Sequence, residues 1–521
     1  MTDASLHTGA GAPQRTMAGK LIHLDPQDNT AVARDSIAAG TDLGHGLVAL
    51  ADVPAGHKVA TRHIARGGPV VKYATVIGFA GADCPPGTYL HTHNVLMDEV
   101  QKDYRFAQDY RAPDLLPAQQ RATFLGYARA DGRVGTRNYI GVFITVNCAA
   151  TVARKVAAHF DADRLQDFPN VDGVVPFIHQ QGCGMEGTGE AMDLLHRTLA
   201  GYIRHPNIAG ALVLSLGCER NNLDRFFRDT ALESGKMLHT VRMQDVGGTA
   251  AAIAEGKAAI RAMLPEANAA TRTPQSAEHI TVGLQCGGSD GFSGLSANPA
   301  LGRAVDLLTR NGGTAILSEF PELYGIEHTL TARAKDEETG RAILDRIRWW
   351  LDYTDGKDVQ MQGVVGPGNM QGGLANVIEK ALGGAKKGGS TGIQAVYRYA
   401  EPVTARGLVL MDTPGYDPVA ATGQLAGGAN LIAFTTGRGS CFGSYPAPTI
   451  KLASNTPMYT KMLGDMDINC GTVIDGATTL DALGETIFAR ILATASGEAT
   501  KSEAAGVGAD EFAPWPIGVT G

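Results

Sequence analysis

From Ala122 onward, short apolar runs alternate with stretches of helical spacing, and this alternation constrains the fold more than any other feature. Strands are predicted at Tyr139–Val146, Val171–Ile178 and Ala209–Leu216, and helices at Ala149–Phe160 and Glu190–Arg204. A βαβα order implies a largely parallel sheet, because parallel strands need a long crossover that a helix supplies. A polar, Ala-rich stretch from Pro265 to His279 marks a boundary, and the rhythm then resumes. Its later strands are Ile280–Gln285, Thr314–Ser318, Gly407–Asp412 and Leu431–Thr435, with helices near Ala300–Arg310 and at Asp481–Ala495.

The texture before Ala122 is different. Runs such as Thr30–Ala33, Leu47–Leu50, His57–Ala60, Val70–Tyr73 and Val76–Phe79 are short and separated by turn residues, among them Pro54-Ala55-Gly56 and Arg66-Gly67-Gly68-Pro69. That spacing predicts a small all-β domain. The expected organisation is therefore a tail over 1–19, a β domain over 20–97, a linker over 98–121, an α/β domain over 122–275, a C-terminal α/β region over 276–496, and a second tail over 497–521. A chain of 521 residues has room for these units at about 150 residues per domain.

Composition narrows the function. Lys and Arg number 45 against 53 Asp and Glu, a net charge of −8, so no basic field for nucleic acid or an anionic membrane is expected. No run of about 20 apolar residues occurs, and the first 19 residues lack a signal-peptide core, so a cytoplasmic protein is expected. Glycine occurs 66 times, nearly double its usual share of about 7%. Loops that bring backbone close to a ligand use glycine in this way. Seven cysteines, an odd and sparse set, do not make a disulfide framework.

Ligands of open α/β sheets bind beyond the carboxyl ends of the strands. Here Tyr139–Val146 leads to Asn147-Cys148, Val171–Ile178 to His179-Gln-Gln-Gly182-Cys183, Ala209–Leu216 to Gly217-Cys218-Glu219, and Ile280–Gln285 to Cys286-Gly287-Gly288-Ser289-Asp290. Four strands thus deliver a cysteine to equivalent positions, either as small buried filler or as members of one site.

Other motifs each carry two readings. Gly182-Cys-Gly184-Met-Glu-Gly187 is formally a dinucleotide fingerprint, but no acid follows at the usual spacing. Gly366-Pro-Gly368-Asn-Met-Gln-Gly372-Gly373 precedes helical spacing and is either an anion cradle or a tight connection. Arg438, between Gly437 and Gly439, either forks onto a carboxylate or makes a surface salt bridge. Lys451 in an apolar strand is either a functional amine or an edge charge. His91 and His93, two apart on a predicted strand, either share a metal or face solvent.

Together the motifs resemble the altronate/galactarate dehydratase family of sugar-acid hydro-lyases. The resemblance runs from Asn29–Ala33, Gly56-His57-Lys58, Lys72-Tyr73 and Ile77-Gly78, through Gly126-Tyr127, Asp131–Asn138, His179…Cys183 and Gly217-Cys218-Glu219. It continues over Cys286–Asp290, Ser293-Gly294, Ala297-Asn298-Pro299, Glu319, Pro367-Gly368-Asn369, Gly372-Gly373 and Thr436–Gly439. It implies a β-clip (SAF-like) N-terminal domain and dehydration of an aldonate or aldarate to a 2-keto-3-deoxy acid. It also implies a divalent metal, Fe²⁺ or Mn²⁺. His91–Asn94 and Pro321-Glu322 look more like the altronate branch, whereas Ser440-Cys441-Phe442-Gly443 departs from the Thr-Pro-Tyr-Gly of both branches.

Such a reaction needs a base for the C2 proton, an acid for the departing 3-hydroxyl and a stabiliser of the enediolate. The resemblance and the residue chemistry together nominate His179, Glu219, Asp290, Glu319 and Lys451 for catalysis. Asn298, Asn369, Thr436, Gly437, Arg438 and Ser440 are nominated for substrate, and His91, His93, Cys183, Cys218 and Cys286 for metal. An iron–sulfur cluster on Cys148, Cys183, Cys218 and Cys286 is the alternative cofactor. A sulfo-lyase acting on a small sulfonated hydroxy acid, an NAD-dependent dehydrogenase and a non-catalytic binding protein are the rival functions. A small-molecule sugar acid is the expected partner, and a homo-oligomer the expected assembly.

Overall fold

A computed structural model describes residues 19–98, 103–357, 361 and 365–518. The N-terminal unit is all-β. Leu21–Ile22, Thr30–Ala33, Lys58–Ala60 and Tyr89–Leu90 form one antiparallel sheet, and Pro69–Lys72, Thr75–Ala80 and Val95–Leu96 a second. Its turns fall where glycine supplies a left-handed backbone, as at Gly56 (φ 81°) and Gly67 (φ 76°). The expected first tail lies outside the described residues, apart from Gly19.

The second unit holds a parallel sheet in the order Gly173–Phe177, Tyr139–Ile144, Ile208–Ser215, Leu238–Arg242. The first three strands match the apolar runs of the sequence. Leu238–Arg242 gives little sequence signal because an edge strand that is only half buried has no need of a continuous apolar run. The helix Thr249–Ala269 runs through Pro265 into the stretch expected to be a boundary, and Thr273–Ser276 then pairs antiparallel with Thr123–Gly126.

The third unit carries seven parallel strands in the order Ile393–Tyr397, Gly407–Met411, Thr314–Leu317, Thr281–Cys286, Leu431–Thr436, Thr449–Ala453, Ile468–Asn469. After Thr281–Cys286 the chain builds one side of the sheet and then returns to build the other. The order of strands therefore reverses at Thr281–Cys286, and such a switch point opens a crevice at the strand's carboxyl end.

The two α/β units share one continuous core. Gly201, on the helix Glu190–Ile203, has its Cα against the backbone of Ala426, so a Cβ there would overlap the Ala426 carbonyl. Residues 497–518 are not a loose tail. Lys501–Ala504 is helical, Arg137 makes a paired contact with Glu503 (2.7 and 2.9 Å), Phe512 packs on Phe177 and Tyr202, and Trp515 stacks on Trp350. The sequence here is small and polar overall, and its two buried aromatics decide the outcome. The described part of the expected linker also lies against the third unit, with Ala107 N donating to Thr331 O and Gly392 N to Arg111 O.

A buried ionic triad holds the β unit to the third unit. Lys58 and Lys72 reach the two oxygens of Glu379 at 2.8 and 2.7 Å, and the three side chains have 0%, 1% and 0% exposure. Lys58 also donates to Gly373 O, and Glu379 accepts from Ala375 N. Burial alone would raise the Glu379 pKa, but the two lysines outweigh it and hold it at about 2.

Glu379→Ala leaves two buried cations unpaired and is expected to cost about 3–5 kcal/mol, read by urea unfolding. Because Glu379 is depressed from its ordinary 4.5 to about 2, its contribution is present above pH 4.5. That contribution is lost as pH falls towards 2, and the variant should lose that acid dependence.

Candidate active site

The loop after Thr281–Cys286 meets two glycine turns at the switch point. Gly291 N donates to Gly372 O at 2.7 Å. A Cβ on Gly291 would overlap the Gly56 carbonyl, and one on Gly437 would overlap the Asp290 carboxyl group. The glycine excess thus has a structural use: four chain segments approach closer than side chains allow. Gly372 and Gly373 present carbonyls to Gly291 N and the Lys58 amine, so the 366–373 turn is a close connection and not an anion cradle.

Asp290 ties this junction together. Its Oδ1 accepts from Ser293 N, Ser293 Oγ and Ser454 Oγ, each at 2.8 Å, and its Oδ2 accepts from Asn455 Nδ2 at 3.0 Å. Burial nevertheless raises its pKa. With both oxygens engaged, Asp290 positions the loop. Asn369 braces the same loop, donating to Ser289 O while accepting from Gly366 N. Thr436 Oγ1 accepts from Gly439 N, and Ser440 Oγ from Phe442 N, so both hydroxyls shape the 436–442 loop. Arg438 is exposed at its edge, 3.2 Å from Gln371 Oε1. Asn298 is buried below, between Thr435 Oγ1 and Gly383 O, where it is structural.

Beneath the loop lies a buried group of acids and amines. Cys286 Sγ stands 3.7 Å from Glu319 and 3.6 Å from Glu322, and ligand atoms of the three converge within 4.8 Å. Lys387 approaches Glu319 at 3.3 Å and Lys380 approaches Glu322 at 2.7 Å. Glu319 has a left-handed backbone (φ 67°, ψ 57°), uncommon for a residue other than glycine and costly to hold. Its Oε1 is buried without a hydrogen-bond partner. Burial, and then the neighbouring Glu322, push its pKa up to about 8 against the pull of Lys387. Burial and Glu322 likewise lift Asp417 to about 6, and burial lifts the Cys286 thiol to about 12.

The β unit brings aromatic and imidazole groups to the junction. His57 contacts Tyr89 OH at 2.7 Å and Gln371 O at 3.1 Å, and its ring meets His91 at 4.9 Å between centroids. His91–Asn94 is a turn closed by His91 N to Asn94 Oδ1, not a strand, so the two-residue spacing does not put His91 and His93 on one face. His91 Nδ1 is buried without a partner, and burial, then Lys58, lower its pKa to about 4. His93 is exposed beside Tyr89.

Two expected catalytic residues are structural in the second unit. His179 uses both ring nitrogens on backbone, Nε2 on Ile144 O at 2.9 Å and Nδ1 on Gln181 N at 3.1 Å. Burial lowers its pKa to about 4. Glu219 accepts from Thr145 Oγ1, Ser215 Oγ and Gly217 N. These donors outweigh burial and lower its pKa. Cys183 and Cys218 sit here too, so the expected ligand set of His91, His93, Cys183, Cys218 and Cys286 is spread over three units. Lys451 is buried with Asp465 and Asp467 as its leading charged neighbours, and burial lowers its pKa. Gly182–Gly187 is not a dinucleotide turn, because the helix Glu190–Ile203 starts only after it.

Sequence reading missed Lys380, Lys387, Asp417, Tyr89 and Gln371, and nominated Glu322 only as a branch marker. Lys380 and Lys387, cations that flank the small apolar run Ala381–Ala385, are the one local signal.

Three family models match consecutive parts of the chain. The altronate/galactarate dehydratase SAF domain matches 19–98. The D-galactarate dehydratase/altronate hydrolase second domain matches 126–268, and the D-galactarate/altronate dehydratase C-terminal domain matches 277–520. The chain belongs to the altronate/galactarate dehydratase family. It is a carbon–oxygen lyase of the hydro-lyase class.

Galactarate dehydratase (L-threo-forming) of Escherichia coli is 36% identical over 93% of this chain and 94% of its own length. The altronate dehydratases of E. coli and Bacillus subtilis are 33% and 32% identical, each over 92% of this chain and 96% of their own. These figures do not favour the altronate branch that the His91 and Pro321 motifs suggested.

Gly437→Ala forces Cβ into the Asp290 carboxyl group. Circular dichroism is expected to stay native while turnover falls at least about 100-fold, as the displaced loop misplaces bound substrate.

Proposed function

We propose that the chain dehydrates a sugar acid, an aldonate such as altronate or an aldarate, to a 2-keto-3-deoxy acid with Fe²⁺ or Mn²⁺. The observation that carries the reading is the group of acids at the switch point, where Glu319 is buried among Cys286, Glu322 and Lys387 and half-buried Asp417 lies within electrostatic reach of it. Glu319, at about 8, holds its proton in neutral water, while Asp417, at about 6, is ionised. An acid for the leaving hydroxyl and a base for the C2 proton stand in one cluster with separated pKa values, as elimination requires. Lys387, whose pKa is raised although burial opposes it, keeps its charge and favours the ionised form of Glu319 once the proton is given up. Arg438 offers its guanidinium at the loop edge for the substrate carboxylate.

His91 fits a divalent ion, since a buried neutral imidazole with a free Nδ1 lone pair is a ready ligand. Bound there with substrate oxygens, the ion would supply Lewis-acid stabilisation of the enediolate. The Cys286–Glu319–Glu322 trio is a poorer cation site, because Lys387 and Lys380 already neutralise its carboxylates.

The test is a panel of hexonates, pentonates, aldarates and sulfolactate with Fe²⁺ and reductant, read by semicarbazide trapping of 2-keto acids. A 2-keto-3-deoxy product from a sugar acid is expected. Sulfite from sulfolactate with no keto acid from any sugar acid would overturn the reading. Glu319→Gln should lower kcat about 10²–10⁴-fold with the melting temperature held. In the native enzyme kcat/KM should fall as pH rises through about 8, and the variant should lose that limb.

A further inference from the structure

Three neighbouring strands of the second unit end in exposed free cysteines. Cys148 follows the central strand Tyr139–Ile144, Cys183 follows Gly173–Phe177 on one side, and Cys218 follows Ile208–Ser215 on the other. Free cysteine is among the residues most often buried, and Cys84, Cys286 and Cys470 obey that rule. Three exposed thiols on three adjacent strand ends are a departure from it.

The turns that carry them are bound to one another by buried polar groups. Asn147 N donates to Gln181 O and Asn147 Nδ2 to His179 O; Asn221 N donates to Gly182 O and Asn221 Nδ2 to Thr145 O. His179 and Glu219 each lock a turn from within, as described above. Gly182 (φ 106°) has its Cα against the Thr145 carbonyl, where any Cβ would overlap. Such a network is expensive to bury unless fully satisfied, and what it fixes is the placement of Cys148, Cys183 and Cys218.

We propose that Cys148, Cys183 and Cys218 hold an iron–sulfur cluster of the cubane type, one thiolate on each of three irons, with the fourth iron left without a protein thiolate. Three soft sulfur donors select such a cluster or a thiophilic ion. The spacing of the sulfurs argues against a single ion. Among the described residues the only trio of ligand atoms converging within 4.8 Å is Cys286, Glu319 and Glu322, so the three exposed sulfurs stand wider apart. A lone tetrahedral zinc ion, with each sulfur about 2.3 Å away, needs them closer. Cys286 does not join the set, being buried in the third unit against Glu319 and Glu322. Assembly of the cluster releases the three thiol protons. The site lies at the strand ends of the second unit, apart from the Glu319 group, and does not rest on the dehydratase reading.

The test uses the full chain, purified without oxygen and reconstituted with equal amounts of ferrous and ferric iron and with sulfide, which supplies the mixed valence of the cluster without a further oxidant. About four irons and four acid-labile sulfides per chain are expected, with broad visible absorption and protection of three thiols from alkylation. The combined Cys148→Ser, Cys183→Ser, Cys218→Ser variant should lose all three signals while keeping its near-ultraviolet circular dichroism, and Cys441→Ser should keep them. Iron and sulfide retained in the triple variant, zinc bound in place of iron, or a native chain that takes up no sulfide would each overturn the proposal. None of these readouts depends on turnover, so failure here and failure of the dehydratase reading are separate results.

Discussion

Three charges with almost no access to water, Lys58, Glu379 and Lys72, sit where the small β unit meets the large sheet. A buried carboxylate between two amines is tolerable only while all three stay together, since removal of any one leaves a charge uncompensated. The β unit is therefore fixed, and with it His57, which meets the Gln371 carbonyl, and His91, whose ring packs on His57. Lys58 also binds the Gly373 carbonyl, so the same amine holds the glycine turn that packs on Gly56 and Asp290. Domain placement and loop geometry share one electrostatic fastening.

The second constraint is steric. Gly56, Gly291, Gly372 and Gly437 meet where no side chain fits, and Asp290 crosses between them with its oxygens fully bonded. Backbone packed so tightly cannot relax locally, and beside it Cys286 and Glu319 are buried while Asp417 is half-buried. Their raised pKa values follow from that burial more than from any single neighbour.

Much of the architecture was legible in the chain. Tyr139–Ile144, Ile208–Ser215 and Thr281–Cys286 lie within or beside apolar runs that read as strands, because interior parallel strands are buried on both faces, and the edge strand Gly173–Phe177 keeps an apolar run although it is only partly buried. The site was less legible. His179, Glu219 and Asp290 carry the residue types of catalysis but spend their polar atoms on turns. A histidine with both nitrogens on backbone looks, in sequence, the same as one awaiting a proton. Lys380, Lys387 and Asp417 escaped notice because each lies far along the chain from the acid it faces. The average polarity of 497–518 suggests a loose tail, whereas Phe512 and Trp515, with the Arg137–Glu503 pair, anchor it.

The sequence by itself determined the β unit, the parallel α/β order and the delivery of cysteines and acids to strand ends, since these follow from local periodicity and turn chemistry. Only the tertiary structure decided how those strand ends are grouped. It separated Cys286 from Cys148, Cys183 and Cys218, placing it with Glu319 and Glu322 in another unit. It also set which carboxyl keeps its proton. The physical reason is that strand order and burial arise from contacts between residues distant in the chain, and a carboxyl's pKa is fixed by what surrounds it, not by what precedes it.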